Sequence, residues 1–333
     1  MKNMQKKELL HYLQHTATKV DRAMAEDIGD GGTAGVQVPL LQQILDHALL
    51  SGGKRVRPVL CVAAAALCGR TDSAVFLFAA ALEYLHGASL LHDDIIDGAL
   101  QRRGKTATHS RFGATPAILA GDFLHARAMD LAGSLGHSCL AAFSRAISAM
   151  IHGEFIQMTH IGNPYVTEET YYSIITGKTA ALLESACEAG ALYAKATTEK
   201  KEALKTYGRE LGLAFQMIDD LLDYLGDPAV TGKPQGTDLG EGKATLPLIH
   251  AMQTADAEGQ AHLVRLFTAS GKTPGHIKQA SKIIDKCNGF HYTREKAAEH
   301  GKKALEALAA FDSMSDEIHF LSGMVRYVLE RHE

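Results

Sequence analysis

The chain has 333 residues, of which 46% are hydrophobic and 22% charged, so it is long and apolar enough to bury a large core. Its formal net charge is −4 and its pI is near 6.5, which gives no electrostatic indication of nucleic-acid binding. The five cysteines are odd in number and form no Cys-x-x-Cys pair, so we expect reduced, buried thiols in a cytoplasmic protein.

Neither the N-terminus nor any apolar run is typical of an exported or membrane-spanning protein. The segment from Met1 to Lys7 is charged and lacks the apolar run of a signal peptide. The longest apolar run, Pro58 to Gly69, is about a dozen residues and too short to span a bilayer. We therefore expect a soluble protein without a transmembrane segment.

Alanine and leucine recur at helical spacing along nearly the whole chain, and long runs of β-branched residues are missing, which predicts an all-α protein. The helices are spread evenly and no Pro- or Ser-rich linker divides them, so we expect one domain over residues 1–333. The predicted helices are, in chain order, Glu8–Glu26, Leu40–Leu50, Leu82–Asp97, Pro116–Leu135, Ser144–Met158, Thr167–Leu192 and Tyr207–Tyr224, with a mostly helical chain from Leu248 onward.

A basic turn, Gly52-Gly53-Lys54-Arg55-Val56-Arg57-Pro58, precedes a further helix. Two glycines allow a tight turn, and proline is tolerated in the first turn of a helix. Three cations near a helix N-terminus oppose the helix dipole unless an anion is bound there. The turn is therefore either a phosphate-binding element that uses Lys54 and Arg57 or a solvated basic turn.

The first acidic motif, Asp93-Asp94-Ile95-Ile96-Asp97, lies at the end of the predicted helix Leu82–Asp97. Consecutive helical residues turn by about 100°, so Asp93 and Asp97 lie about 40° apart and Asp94 falls on the neighbouring edge. Carboxylates grouped on a largely buried helix repel each other, and their oxygens suit Mg²⁺. Arg102 and Arg103 follow, and guanidinium groups match phosphate oxygens.

Other residues of this helix each allow two interpretations. His86 lies two turns before the aspartates and is either a satisfied core histidine or part of the same pocket as the basic turn. The small residues Gly87, Ala88 and Ser89 either permit close helix packing or leave space for a long substrate.

Lys178 follows Gly177 in the middle of the apolar helix Thr167–Leu192. A mid-helix glycine and a buried charge both cost stability. We therefore expect Lys178 to meet an anion, the alternative being that its ammonium group extends to the surface.

A second acidic motif, Asp219-Asp220-Leu221-Leu222-Asp223, repeats the same spacing on another apolar helix. Two such trios would place up to six negative charges across one cavity, which requires divalent metal. Lys233 and Lys243 follow in glycine-containing loops, where they could fold back over the metal ions and their ligand. Metal and cations around a diphosphate favour its departure, and a second basic cluster without metal indicates a second diphosphate and hence a condensation.

The chain resembles the trans-isoprenyl diphosphate synthases, the head-to-tail polyprenyltransferases, in six motifs between Gly52 and Pro247. They are GGKRVRP (52–58), HDDIIDGALQRRG (92–104), GEFIQ (153–157), GKTA (177–180), FQMIDDLLD (215–223) and GKPQGTDLGEGKATLP (232–247). The resemblance implies a single large bundle of antiparallel helices around a deep central cavity, usually as a homodimer. It also implies isopentenyl diphosphate and an allylic diphosphate as substrates, and two or three Mg²⁺ ions as cofactor.

The same resemblance implies roles for individual residues. The Mg²⁺ ligands would be Asp93, Asp97 and Asp219, supported by Asp94, Asp220 and Asp223. The allylic diphosphate would be bound by Arg102, Lys178, Lys233 and Lys243, and isopentenyl diphosphate by Lys54, Arg57, His86 and Arg103. Thr179 and Gln216 match polar groups that lie beside the allylic cation.

Product length in this family follows from how far down the cavity is open. The first acidic motif lacks the two extra residues of the bacterial farnesyl type, and Ala88 stands where the geranylgeranyl type often has an aromatic residue. Ser89 is also small, and Met129 would be a flexible floor. The pattern is most similar to the long-chain synthases that make quinone side chains, so we expect a heptaprenyl to decaprenyl product.

Three alternatives remain open. One is a short-chain farnesyl or geranylgeranyl diphosphate synthase. A class I terpene cyclase needs no second diphosphate site, so the basic turn argues against it. A non-catalytic partner subunit would be expected to lose aspartates or lysines from the motifs, and all are present here.

Overall fold

The computed structural model describes residues 5–29, 31–50, 52–102, 104–226, 235–311 and 315–331. They form an all-α fold, as predicted, with one short antiparallel hairpin of strands β1 (Gln101–Arg102) and β2 (Lys105–Thr106). The helices are α1 Lys6–Ile28, α2 Pro39–Leu49, α3 Val56–Leu67, α4 Ala74–Ile96, α5 Thr108–Phe112, α6 Ala114–Ser134, α7 His137–His160, α8 Glu168–Ile175, α9 Ala181–Tyr193, α10 Thr198–Leu225, α11 Thr237–Gly240, α12 Leu246–Thr254, α13 Ala257–Thr268, α14 Pro274–Lys286, α15 Gly289–Ala307 and α16 Asp316–Leu329.

The predicted helices are present, with one interruption that the sequence did not specify. The region predicted as Thr167–Leu192 is α8, a π-helical turn at Thr176–Ala180, and α9 in succession. All five cysteines are free thiols; Cys61, Cys139 and Cys187 are buried as predicted, whereas Cys68 and Cys287 are half-buried.

The chain divides into two compact units. Unit 1 comprises Met1–Ile147, Ser185–Lys205 and Ala310–Gly323, and unit 2 comprises Ser148–Glu184, Thr206–Ala309 and Met324–Glu333. The single domain over residues 1–333 stays a prediction.

Helix α4 forms the core of unit 1. Its apolar residues surround the helix instead of covering one face, which is typical of a buried helix, and it packs against α1, α3 and α6. By length and composition it is apolar enough to cross a membrane, but 67% of its apolar window is buried inside the protein. Glu83 and His86 interrupt its apolar residues, so it contains no long uninterrupted apolar run, and its composition is accounted for by burial in the core.

Arg55, the third cation of the basic turn and the one without a predicted ligand role, lies in the core. Its side chain is 3% exposed, with Nε 2.7 Å from Asp21 Oδ1 and Nη1 2.7 Å from Glu83 Oε1. The third guanidinium nitrogen, Nη2, donates to the carbonyl of Leu49. Arg55 therefore joins α1, α2 and α4 from within the core, and Lys54 and Arg57 remain the two cations of the turn predicted to bind a ligand.

A buried polar chain joins three helices of unit 2. His300 on α15 lies between two partners, with Nδ1 2.6 Å from Glu210 Oε2 on α10 and Nε2 3.1 Å from the hydroxyl of Tyr172 on α8. Both Glu210 and His300 are buried. These contacts hold α8 against α10, the helix that carries the second acidic motif.

Candidate active site

The first acidic motif ends helix α4 in unit 1. Asp94 is buried, Asp93 is half-buried, and Asp97 is exposed directly after the helix. Arg102 on β1 places its Nε 2.6 Å from Asp94 Oδ1. A residue predicted to bind diphosphate thus also holds the β-hairpin against the motif. Its neighbour Arg103 lies outside the described residues.

The other described residues predicted to bind isopentenyl diphosphate belong to the same unit. Lys54 is exposed just before α3, and Arg57 is half-buried in the first turn of that helix. His86 is half-buried on α4, and its backbone carbonyl accepts a hydrogen bond of 2.9 Å from the Ser89 hydroxyl.

Of the small residues before the first motif, Gly87 permits close helix packing. A Cβ at Gly87 would lie 2.6 Å from Leu49 Cδ2 on α2, so glycine permits the close approach of α2 and α4. Ala88 has no exposed surface, while Ser89 and Met129 are half-buried. Of the two interpretations of these residues, the structure supports close packing at Gly87.

Unit 2 contains a cavity of about 190 Å³. Its lining brings together six residues that the sequence singled out, which are Lys178, Thr179, Gln216, Asp219, Asp220 and Lys243. They come from the π-helical turn, from α10 and from the segment after α11. Lys233 lies outside the described residues.

Two glycines position Lys178. A Cβ at Gly177 would lie 2.5 Å from the carbonyl oxygen of Ala149, and one at Gly153 would lie 2.7 Å from the backbone nitrogen of Lys178. The π-helical turn therefore lies directly against α7, and such turns are frequent at functional sites. The Lys178 ammonium group is 2.5 Å from Glu154 Oε2. The expected anion is thus a carboxylate of the GEFIQ motif, and Lys178 also faces the cavity.

A chain of hydrogen bonds runs along the cavity from Thr179 to the second acidic motif. The Thr179 hydroxyl donates to Gln216 Oε1 at 2.7 Å, and Gln216 Nε2 donates to Asp220 Oδ1 at 2.8 Å. The hydroxyl of Tyr171 donates to the other oxygen, Asp220 Oδ2, at 2.6 Å. Asp220 is therefore fixed in orientation by two donors, one from α8 and one from its own helix.

Burial and mutual repulsion raise the pKa of two carboxyl groups in this region, Asp220 and Asp238. Burial raises the pKa of Asp220 to about 7, and the charges of Asp219 and Asp223 contribute to the rise, against the lowering effect of its two hydrogen bonds. Burial also raises the pKa of Asp238, again with Asp220 and Asp223 adding to it. Buried oxygen ligands with excess negative charge fit a hard divalent cation such as Mg²⁺.

Asp219 and Asp223 differ in their surroundings. The Asp219 carboxylate is 53% exposed, and its Oδ1 is 3.9 Å from the guanidinium group of Arg331. The Asp223 carboxylate accepts hydrogen bonds of 3.1 Å from the backbone nitrogens of Thr237 and Asp238. Asp223 thus anchors the start of α11, which returns the chain toward Lys243.

Sequence reasoning assigned no role to four residues at this site, which are Glu154, Tyr171, Asp238 and Arg331. Glu154 lies within the GEFIQ motif and Asp238 within the motif at 232–247. The sequence feature that could have indicated a role for Glu154 is that it is an acid on a mostly apolar helix. Nothing in the local sequence distinguished Tyr171 from Tyr172.

Replacing Tyr171 by phenylalanine is expected to weaken the predicted Mg²⁺ binding at the second acidic motif at neutral pH. A hydrogen bond to a carboxylate favours the ionised form, so its loss raises the pKa of Asp220 further above its ordinary value. Such a bond is worth about 1.5–3 kcal/mol, so the Mg²⁺ concentration for half-maximal activity should rise roughly tenfold or more at pH 7. The difference should narrow as the pH rises above the raised pKa of Asp220 in the variant, where protons no longer compete with Mg²⁺.

The matched control is Tyr172→Phe, whose hydroxyl contacts His300 instead of an aspartate of the acidic motif. An equal shift in Mg²⁺ dependence for both variants would contradict a specific role for Tyr171.

Comparisons with known proteins show to which family the chain belongs. Residues 38–284 match the polyprenyl synthetase family. The octaprenyl diphosphate synthase of Escherichia coli is 38% identical over 296 residues, covering 87% of this chain and 91% of that protein. The geranylgeranyl diphosphate synthase of Mycobacterium tuberculosis is 39% identical over 266 residues, covering 78% of this chain and 75% of that protein.

A solved structure gives the same result for the fold. The polyprenyl synthase of Caulobacter crescentus CB15, complexed with calcium and isoprenyl diphosphate, has a TM-score of 0.90 at 34% identity and covers 100% of both chains. The chain therefore belongs to the polyprenyl synthetase family. It is a prenyltransferase with the all-α fold of that family, which confirms the resemblance carried by the six motifs.

Proposed function

We propose that this enzyme condenses isopentenyl diphosphate with an allylic diphosphate to make a long-chain all-trans polyprenyl diphosphate, the precursor of a quinone side chain. The observation that carries the proposal is the cavity of unit 2, where Asp219 and Asp220 share one lining with Lys178 and Lys243. Carboxylates for a divalent cation beside ammonium groups for phosphate oxygens are what activation of a diphosphate leaving group needs.

The proposed Mg²⁺ ligands are carboxylates of both acidic motifs, for two or three ions. Asp219 and Asp220 offer them in unit 2, Asp93, Asp94 and Asp97 offer them in unit 1, and Asp223 supports the second motif. When bound, Mg²⁺ supplies Lewis-acid stabilisation of the charge that develops on the departing diphosphate.

The chain's own residues bind and orient the substrates. Lys178, Lys243, Lys233 and Arg102 hold the allylic diphosphate through its oxygens, and Lys54, Arg57, His86 and Arg103 hold isopentenyl diphosphate. The Thr179 hydroxyl donates a hydrogen bond to Gln216, so the lone pairs of the Thr179 oxygen can face the electron-poor allylic carbon.

The reaction follows as ionisation, condensation and elimination. Loss of diphosphate from the allylic substrate leaves a delocalised carbocation, which the double bond of isopentenyl diphosphate attacks. A proton is then lost to the departing diphosphate, and the extended product moves down the cavity for another cycle.

We further propose a cytoplasmic homodimer. Helix α7 exposes Ile151, Phe155 and Met158 at spacings of four and three residues, which forms an apolar stripe on one face. A second copy of the chain would cover such a stripe in a symmetric assembly. Five free thiols are consistent with a reducing compartment.

The purified full chain should incorporate labelled isopentenyl diphosphate into a farnesyl diphosphate primer in the presence of Mg²⁺, giving a ladder that ends between heptaprenyl and decaprenyl. The measurement is product length by chromatography.

Met129→Ala should keep the activity and lengthen the product, because a smaller side chain lowers the proposed floor of the cavity.

The outcomes separate the parts of the proposal. Relatives of the long-chain and of the short-chain kind have nearly equal identity to this chain, so identity does not decide product length. Products that stop at four isoprene units would support the condensation reaction but overturn the long-chain assignment. Absence of incorporation by the purified chain would contradict condensation by this chain alone.

A further inference from the structure

Unit 1 holds a second group of metal-ligating side chains beside the first acidic motif. The group consists of His92 on α4 and of Asp122 and His125 on α6, and one ligand atom from each lies within 4.8 Å of the others. His92 Nε2 is 3.6 Å from Asp122 Oδ1. The two imidazole rings meet edge to face, with centroids 5.7 Å apart. Ligand atoms around a tetrahedral Zn²⁺ ion lie roughly 3.4 Å from one another, so small side-chain rotations would complete the site.

The backbone of α6 is shaped to receive the His92 ring. A Cβ at Gly121 would lie 2.3 Å from His92 Nε2, so only glycine at this position leaves room for the imidazole. The same nitrogen is 3.2 Å from the carbonyl of Ile118, a contact that ligation through Nε2 would replace. Asp122 and His125 are three residues apart, and residues at this spacing lie on one face of a helix.

We propose that His92, Asp122 and His125 bind one transition-metal ion of the Zn²⁺ class, with water in the fourth position. Two imidazoles and one carboxylate suit Zn²⁺ and similar first-row cations, whereas Mg²⁺ prefers a shell of oxygen ligands. Consecutive residues of a helix turn by about 100°, so His92 faces α6 while Asp93 lies on a different side of α4.

The site joins the C-terminal end of α4, which carries the first acidic motif, to the neighbouring helix α6. An ion bound only by the folded chain stabilises it. The proposal is independent of the proposed function, because it uses none of the residues assigned to the substrates or to Mg²⁺.

The test is Co²⁺ binding to the full chain in a large excess of Mg²⁺, which occupies the carboxylate sites, followed by competition with Zn²⁺. We expect one Co²⁺ per chain, with the visible absorption of a nitrogen-coordinated ion, displaced by Zn²⁺. Loss of one supporting contact costs metal sites about 10–100-fold in affinity, so Asp122→Asn and His125→Gln should weaken binding by at least that much. The Asp122 side chain is 62% exposed, so its replacement leaves the fold intact.

Two further variants make the test specific. His15→Gln is the matched control, because His11 and His15 form a stacked pair on α1 with ring centroids 6.1 Å apart, and such a pair can bind Co²⁺ weakly. This variant should retain the bound ion, whereas Gly121→Ala should lose affinity by displacing the His92 ring. Equal Co²⁺ binding in Asp122→Asn and the unaltered chain, or no Co²⁺ binding in the presence of Mg²⁺, would overturn the proposal.

Discussion

Asp219→Asn should lower kcat by about 10³-fold while the fold stays intact. The side chain is 53% exposed, and Asn has the same shape without the charge. Removing one electrostatic group that acts on the transition state commonly costs about 10²–10³-fold in kcat, and a thousandfold loss corresponds to about 4 kcal/mol of barrier. The rate of diphosphate release at saturating substrate and Mg²⁺ measures the effect directly.

Stability supplies a second measurement on the same variant. Without Mg²⁺, Asp219→Asn should not destabilise the protein and should slightly stabilise it, because the Asp219 charge contributes to the raised pKa of both Asp220 and Asp238. With Mg²⁺ present, the gain in thermal stability of the unaltered chain should be larger than that of the variant, since a ligand stabilises only the state that binds it.

The matched control is Asp285→Asn, an exposed carboxylate on α14 in the same unit that does not line the cavity. It should leave both kcat and the Mg²⁺-dependent stabilisation unchanged. Full activity together with undiminished Mg²⁺ stabilisation in Asp219→Asn would contradict the assignment of the second motif to metal.

Those parts of the site that follow from position along one helix could be predicted from the sequence. Gln216, Asp219 and Asp220 are three and four residues apart, so a single helix places them on one face, and they do line one cavity. Gly177 and Lys178 in the middle of an apolar helix also indicated a departure from a regular buried helix. In the structure this departure is a π-helical turn at Thr176–Ala180.

Those parts that depend on packing between distant segments could not be predicted. Glu154 meets Lys178 only because Gly153 and Gly177 let two backbones approach closely, and no local pattern encodes that pairing. Tyr171 reaches Asp220 because α8 packs against α10, while its neighbour Tyr172 faces His300. Composition identified these segments as helices, but which side chains become partners is decided by tertiary contacts.

In unit 1, the partners of Arg55 are likewise decided by tertiary contacts and not by the local sequence pattern. The local pattern groups it with Lys54 and Arg57 as three cations near a helix N-terminus, of which only Lys54 and Arg57 were predicted to bind an anion. Its left-handed backbone conformation, with φ of 49° at the residue before α3, instead directs the side chain into the core. There it meets Glu83, an acid on the most apolar helix of the unit.

Arg55→Met should lower the free energy of unfolding by about 3–5 kcal/mol, because it leaves the Glu83 carboxylate buried without its cation. Both side chains of this pair are nearly inaccessible, at 3% and 7% exposure, so water cannot replace the lost partner. Urea denaturation followed by circular dichroism measures the change. Arg70→Met is the matched control, because the Arg70 and Asp72 side chains are 42% and 44% exposed and their pair should contribute little.

The double variant Arg55→Met with Glu83→Met tests the cause of that loss. If the uncompensated charge of Glu83 is responsible, removing the charge as well should recover most of the stability, since apolar residues of similar volume often replace a buried ion pair without cost. The remaining deficit should reflect Asp21, which is 41% exposed and can be solvated, and the carbonyl of Leu49. No recovery in the double variant would show that Arg55 stabilises unit 1 by its packing between α1, α2 and α4 and not by its charge.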